Sequence, residues 1–143
     1  MRPDADASLV RPDVLAGAAG LGVELPAPQA DQLVRFAALL VRWNAAHNLT
    51  AISSPAGILS RHLLDSLVIL PLMSSIFGEK RCRVLDVGSG GGLPGIPLAI
   101  ACPQWQVTVV DKVQKKVAFR TQAKLELGLT NLECLHARVE DME

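Results

Sequence analysis

Apolar residues follow two different patterns along this 143-residue chain. Leu33, Phe36, Ala37, Leu40 and Trp43 recur at helical spacing, with Asp31, Arg35 and Arg42 off that stripe. A period of about 3.6 residues puts the apolar set on one face, so an amphipathic helix of about four turns is predicted, ending near His47-Asn48. Before it, residues 1–10 read as a loose tail, Pro12 to Ala19 as a short helix stopped near Gly20 and Gly22, and Pro26-Ala27-Pro28 as a linker. After it, Ser53-Ser54-Pro55 reads as an N-cap followed by proline at the first helical position. The helix opened there turns Ile58, Leu59, Leu63 and Leu67 inward and runs until Pro71 disturbs it, and Ser74 to Lys80 forms a joint. The first eighty residues carry no strand pattern.

From Arg81 the period changes. Arg83–Val87 and Gln106–Val110, short runs with β-branched residues, and Asn131–His136, a short run after the glycine that closes the preceding helix, read as strands. Between them, Pro94–Ala101 reads as a helix stopped by Pro103, and Lys112–Leu127 as a helix closed by Gly128. Strands alternating with helices imply right-handed crossovers and a parallel sheet. The expected organisation is a helical region over residues 1–80 and an α/β region over residues 81–143.

Half of the residues are hydrophobic, enough for one buried core at this length. Lys plus Arg and Asp plus Glu each number 14, so no net field draws the chain to nucleic acid or membrane. The thiols Cys82, Cys102 and Cys134 are odd in number and widely spaced, with no C-x-x-C. Neither a disulfide framework nor a metal site is therefore expected. No signal peptide or membrane-spanning run is read from the sequence.

The candidate chemistry centres on the glycine-rich turn after the first strand, where four of the five positions from Gly88 to Gly92 are glycine. Strand, glycine turn and helix let backbone N–H groups approach a polar ligand closely. A P-loop is excluded, because no lysine lies between Arg83 and Lys112. The dinucleotide pattern G-x-G-x-x-G fits only at Gly90, Gly92 and Gly95, two residues late and with Pro94 inside it. The register from Asp86 is D-x-G-x-G-x-G, which resembles the first motif of Rossmann-like methyltransferases that bind S-adenosylmethionine (SAM). Asp111, at the end of the second strand, can accept the hydroxyls of a ribose or cap the following helix. Glu140 and Asp141 emerge after the third strand, where Glu140 is either an adenine acceptor or a solvated loop acid. His62 and Asp65 lie three apart on one helical face, as a catalytic dyad or as a structural pair. Lys112, Lys116, Arg120 and Lys124 form a basic stripe opposite an inward face of Val113, Val117, Thr121 and Leu125. That stripe is either a solvated face or a nucleic-acid contact.

Several segments together resemble the bacterial 16S rRNA guanine-N7 methyltransferase family, RsmG or GidB. They are Trp43-Asn44 with Asn48-Leu49-Thr50, the run His62-Leu63-Leu64-Asp65-Ser66-Leu67, the stretch from Asp86 through Leu93-Pro94-Gly95-Ile96-Pro97 to Leu98, and Ala137-Arg138-Val139-Glu140. The resemblance runs from about residue 30 to the last residue. It implies a Rossmann-like class I methyltransferase fold, here its first half preceded by helices, in a cytoplasmic enzyme. It further implies SAM as methyl donor and 16S rRNA of the small ribosomal subunit as partner. Carried over by position, Gly88, Gly90, Gly92 and Leu93 line the cofactor, Asp111, Lys112 and Val113 hold the ribose, and Val139 and Glu140 meet the adenine. No general base is implied, and His62 and Asp65 remain orienting or structural residues. In the family the fold continues past the position of Glu143, so the expectation is a fragment with one bare strand edge and little activity alone. The rival readings are another nucleotide-cofactor enzyme on the same fold and a non-catalytic RNA-binding or self-associating module.

Overall fold

The structure, a computed structural model, describes residues 8–78, 81–88 and 91–142. Helices α1 (Arg11–Gly20) and α2 (Ala27–His47) pack together and form an outer layer. Pro28 does not belong to a linker. It occupies the first turn of α2, where its missing N–H costs nothing. Asn48 ends α2 in the left-handed conformation, its N–H donating to the Asn44 carbonyl.

Ser54 caps α3 (Pro55–Gly57), its hydroxyl accepting from the Gly57 N–H at 3.1 Å. The helix then widens into a π-helical segment, Ile58–Leu64, and tightens again in α4 (Asp65–Leu67). After a two-residue turn, α5 (Leu70–Phe77) restarts with Pro71 in its first turn, so the expected joint from Ser74 is helical through Phe77. Pro55 to Phe77 is long and apolar enough to cross a bilayer by composition, yet Ile58, Leu63 and Leu67 are buried in the protein core.

Strands β1 (Arg83–Val87), β2 (Gln106–Asp111) and β3 (Leu132–His136) form a parallel sheet in the order β1-β2-β3. Val87 pairs with Val110, and Val110 with Leu135. Helix α6 (Gly95–Ala101) packs on β1 and β2, and α7 (Gln114–Leu127) on β2 and β3. Helix α2 packs across α6 and α7 and also holds α7 through polar contacts. Gln32 and Arg35 donate to the last carbonyls of α7, Leu127 and Glu126, at 2.9 and 2.7 Å.

Asn131 fastens the crossover between β1 and β2. Its amide nitrogen donates to the carbonyls of Ala99, Cys102 and Trp105 at 2.9–3.2 Å. The face of the sheet away from α6 and α7 is different. Leu85 and Val87 are half exposed there, and the outer edge of β1 pairs with no strand among the described residues.

The expected basic stripe on α7 does not form. The helix begins at Gln114, which leaves Lys112 and Val113 before it, and it is buried on two sides. Val117, Phe119, Arg120, Ala123 and Leu127 are buried, while Leu125 and Thr121 are exposed. The reason is a sandwich. One side of α7 meets the sheet, and the other meets α2, where Phe119 contacts the rings of Phe36 and Trp43. Arg120 therefore points into the protein rather than along a solvated row.

Candidate functional site

The glycine turn leaves β1 at Gly88, whose φ of +68° is open to glycine and costly for other residues. Its N–H donates to the Val110 carbonyl at 2.9 Å, extending the β1–β2 ladder one step past the strand. Asp86, buried on the inner face of β1, receives the Gly95 N–H at 2.9 Å and so ties the start of α6 to the sheet. Gly95 is required by space: a Cβ there would sit 2.4 Å from Val109 and 2.7 Å from the Asp86 carboxylate. Gly92 combines a φ of +83° with the side chain of Ile96 2.4 Å from where its Cβ would lie. The expected ligand Gly90 lies outside the described residues.

Two clefts flank this turn. The first, of about 340 Å³, opens at the carboxyl edge of the sheet. Gly88, Asp111, Lys112, Val113, Val139 and Glu140, gathered from three loops, all line it. The parallel topology explains the convergence, since every strand ends at the same edge. Asp111 is nearly closed off from solvent. One of its oxygens accepts from the Val113 N–H at 2.9 Å and the other from the Arg120 guanidinium at 2.7 Å. Burial pushes the Asp111 carboxyl up, but the Val113 N–H and Arg120 outweigh it and hold the group below the ordinary carboxylate range. Two carboxylate oxygens offer about four acceptor directions, so bonds to Val113 and Arg120 leave room for a hydroxyl donor. Asp111 is thus not the N-cap of α7, a position that Val113 occupies. Glu140 is exposed and pairs with Arg138 at 2.8 Å.

The second cleft, of about 390 Å³, lies on the other side of the turn. Thr50, Arg61, His62, Asp65, Leu93 and Pro94 line it. Leu93, expected beside the other cofactor residues, therefore faces this cleft, while Gly92 is packed against Ile96. His62 and Asp65 do not form a hydrogen-bonded dyad. The His62 ring shares a 2.7 Å hydrogen bond with the Thr50 hydroxyl, and the Thr50 N–H donates to Asn44 at 2.8 Å. The Asn44, Thr50 and His62 segments, distant in sequence, are thereby one hydrogen-bonded unit. The sequence hinted at Asn44 and Thr50 only through the family resemblance, because no periodicity marks them. Partial burial lowers the His62 pKa, opposed by the Arg61 backbone and the Asp65 charge.

A third cleft, of about 450 Å³, lies at the opposite, amino edge of the sheet beside Arg81, Arg83 and Asn131, away from the glycine turn. Among the described residues no cluster of His, Cys, Asp or Glu is arranged to hold a metal ion. Cys102 is buried and its thiol pushed up to about 11, chiefly by desolvation and then by Cys82.

A parallel sheet behind two layers of helices, with a glycine turn and a buried acid at its carboxyl edge, defines a Rossmann-like α/β fold. Comparison with known sequences narrows this class. The profile of the family described as rRNA small subunit methyltransferase G, GidB, matches residues 29–143. Ribosomal RNA small subunit methyltransferase G of Pseudomonas entomophila is 51% identical over 140 residues, covering 95% of this chain and 63% of the relative. The same-named protein of Ralstonia nicotianae is 50% identical, covering 92% and 60%. That of Burkholderia multivorans is 54% identical, covering 88% and 54%. The chain belongs to the rRNA small subunit methyltransferase G family, and it spans about six tenths of the length of the first of these relatives.

Proposed function

We propose that the chain binds SAM at the carboxyl edge of its sheet and serves methyl transfer to N7 of a guanine in 16S rRNA. One observation carries the cofactor reading: residues from three separate loops converge on one cleft beside the glycine turn. The cleft fits a nucleoside in size and chemistry. Val87, Val113 and Val139 supply apolar walls for a purine, and Asp111 and Glu140 supply acceptors. Asp111 takes the ribose hydroxyls, held ionised and in place by Arg120 and the Val113 N–H. Glu140 takes the adenine amino group, aimed by Arg138.

SAM supplies an activated methyl group on a sulfonium. Guanine N7 has a free lone pair, which forms the new bond to the methyl carbon as the carbon–sulfur bond breaks. The positive charge passes from sulfur to the guanine ring, and no proton has to leave. The protein's part is alignment, which can supply up to roughly 7–11 kcal/mol of barrier lowering. Attack by N7 therefore calls for no general base. Lys112 and Lys116, which line the cleft, supply positive charge that a phosphate backbone can meet.

The test is calorimetric titration of the folded chain with SAM, NAD and ATP in parallel, followed by incubation with methyl-labelled SAM and 16S rRNA lacking N7 modification. Saturable binding of SAM in the micromolar range, with no heat from NAD, is expected. Preference for NAD would overturn the cofactor reading, and label transferred to any atom other than guanine N7 would overturn the reaction.

A further inference from the structure

The third cleft, at the amino edge of the sheet, gathers two positive charges that nothing in the described protein uses. Arg81 and Arg83 line it together with Gln104, Gln106, Thr130 and Asn131. Both arginines and both glutamines are exposed, and none of these four side chains makes a hydrogen bond or ion pair among the described residues. No carboxylate lines the cleft among the described residues. Its frame is fixed. The Gln106 N–H donates to the Cys82 carbonyl at 2.8 Å and the Val107 N–H to the Asn131 carbonyl at 2.9 Å, while the Asn131 amide holds three carbonyls of the crossover. Trp105, buried, completes the wall.

Each guanidinium carries five N–H donors, no acceptor, and its charge at every working pH. Two of them in one cleft, joined by glutamine amides and a threonine hydroxyl, call for an anion whose oxygens accept from several directions. Phosphate is that anion, and the planar fork of arginine matches its geometry. We propose that this cleft receives phosphate groups of the 16S rRNA backbone, as a second RNA contact remote from the reacting edge. The inference rests on the rRNA reading above and adds a contact to it. Strand β1 is five residues long, which sets the amino edge about 16 Å from the carboxyl edge, a distance that a short RNA helix spans. Lys112 and Lys116 stand at one edge and Arg81 and Arg83 at the other, so one RNA is held at two points. The zero net charge of the chain does not oppose this, because exposed charges are screened beyond about 10 Å at 0.1 M salt and act locally. Contacts of this kind carry no sequence information. They fix the position and orientation of the RNA.

The experiment reads salt dependence, because each phosphate contact adds about one to the slope of log affinity against log salt concentration. Binding of 16S rRNA lacking N7 modification is measured by filter binding between about 50 and 200 mM salt. The proteins are the wild-type chain, Arg81→Gln, Arg83→Gln, the double glutamine variant and a double variant with Arg81→Lys and Arg83→Lys. Circular dichroism confirms the fold of each, and calorimetry measures SAM and inorganic phosphate binding. Each glutamine variant should lower the slope by about one and the double variant by about two. The paired lysine exchange keeps both charges and should keep most of the slope, and SAM affinity should be unchanged throughout. A double glutamine variant with the wild-type slope and affinity would overturn the site and leave the rRNA reading standing. Loss of inorganic phosphate binding in that variant, with the rRNA slope intact, would assign the cleft to a small phosphate ligand and overturn the RNA contact. A folded wild-type chain that binds no rRNA would overturn the rRNA reading and this inference with it.

Discussion

Arg120 and Asp111 face each other at 2.7 Å with almost no exposed surface, and the pair does two jobs. It neutralises a guanidinium wedged between α7 and the sheet, and it fixes the carboxylate that borders the first cleft. Removing one member leaves the other charge buried alone, which costs about 3–5 kcal/mol. Asp111→Asn should therefore lower stability in urea denaturation by about that much, a loss too large for an exposed loop acid. His62 gives a second prediction. Its pKa is lowered in the folded state, so the unfolded chain binds protons more readily as pH falls below the usual histidine value of 6.5. By linkage, stability is full above pH 6.5 and declines as pH drops through the folded value. His62→Gln should flatten that decline, which thermal melts between pH 7.5 and 5 would show. At this scale the sequence was partly legible. Asp111 and Glu140 stood out because they follow strands. The partnership of Asp111 with Arg120 did not, because Arg120 read as one of four cations in a basic stripe, either solvated or facing nucleic acid. The burial of α7 against α2 as well as the sheet set its direction, and that packing is a tertiary fact.

Among the elements, the glycine turn is the most constrained. Gly95 lets α6 approach β2 and lets its own N–H reach Asp86, and a methyl group there would collide with both Val109 and the carboxylate. Gly95→Ala should cost about 1–3 kcal/mol through overpacking. Gly22→Ala offers a control, because its Cβ would meet nothing within 4 Å and only its φ of +79° opposes it. Chemical denaturation of the two variants separates crowding from backbone strain. The strands, the turn and the capping Ser54 were visible in the chain because each is a local signal of period, composition or spacing. The π-helical segment was not, because its hydrogen bonds span the same kinds of residue as an ordinary helix. Pro28 misled because proline interrupts a helix and also begins one, and only neighbouring structure decides between them; Pro71 follows the expected break and also opens the next helix.

Over the whole molecule, both helical layers lie on one side of the sheet, and the other side is bare among the described residues. Leu85 and Val87 are about half exposed, and Leu72 and Ile76 on α5 are more so, at 60% and 63%. An apolar face beside an unpaired strand edge favours association. Sedimentation velocity should show weight-average mass rising with concentration, and Leu85→Lys should reduce the effect. A monomer at every concentration would mean that this surface is inert. The parallel order of the strands was legible from their alternation with helices, and that order creates the carboxyl edge on which the functional reading depends. The most direct test of that reading is a titration of the ¹⁵N-labelled chain with SAM, followed by amide NMR. Shifts concentrated at Gly88, Val113, Val139 and Glu140, with Arg81 and Asn131 at the opposite edge unmoved, are predicted. A folded chain that shows no shifts, or shifts confined to the amino edge of the sheet, would contradict it.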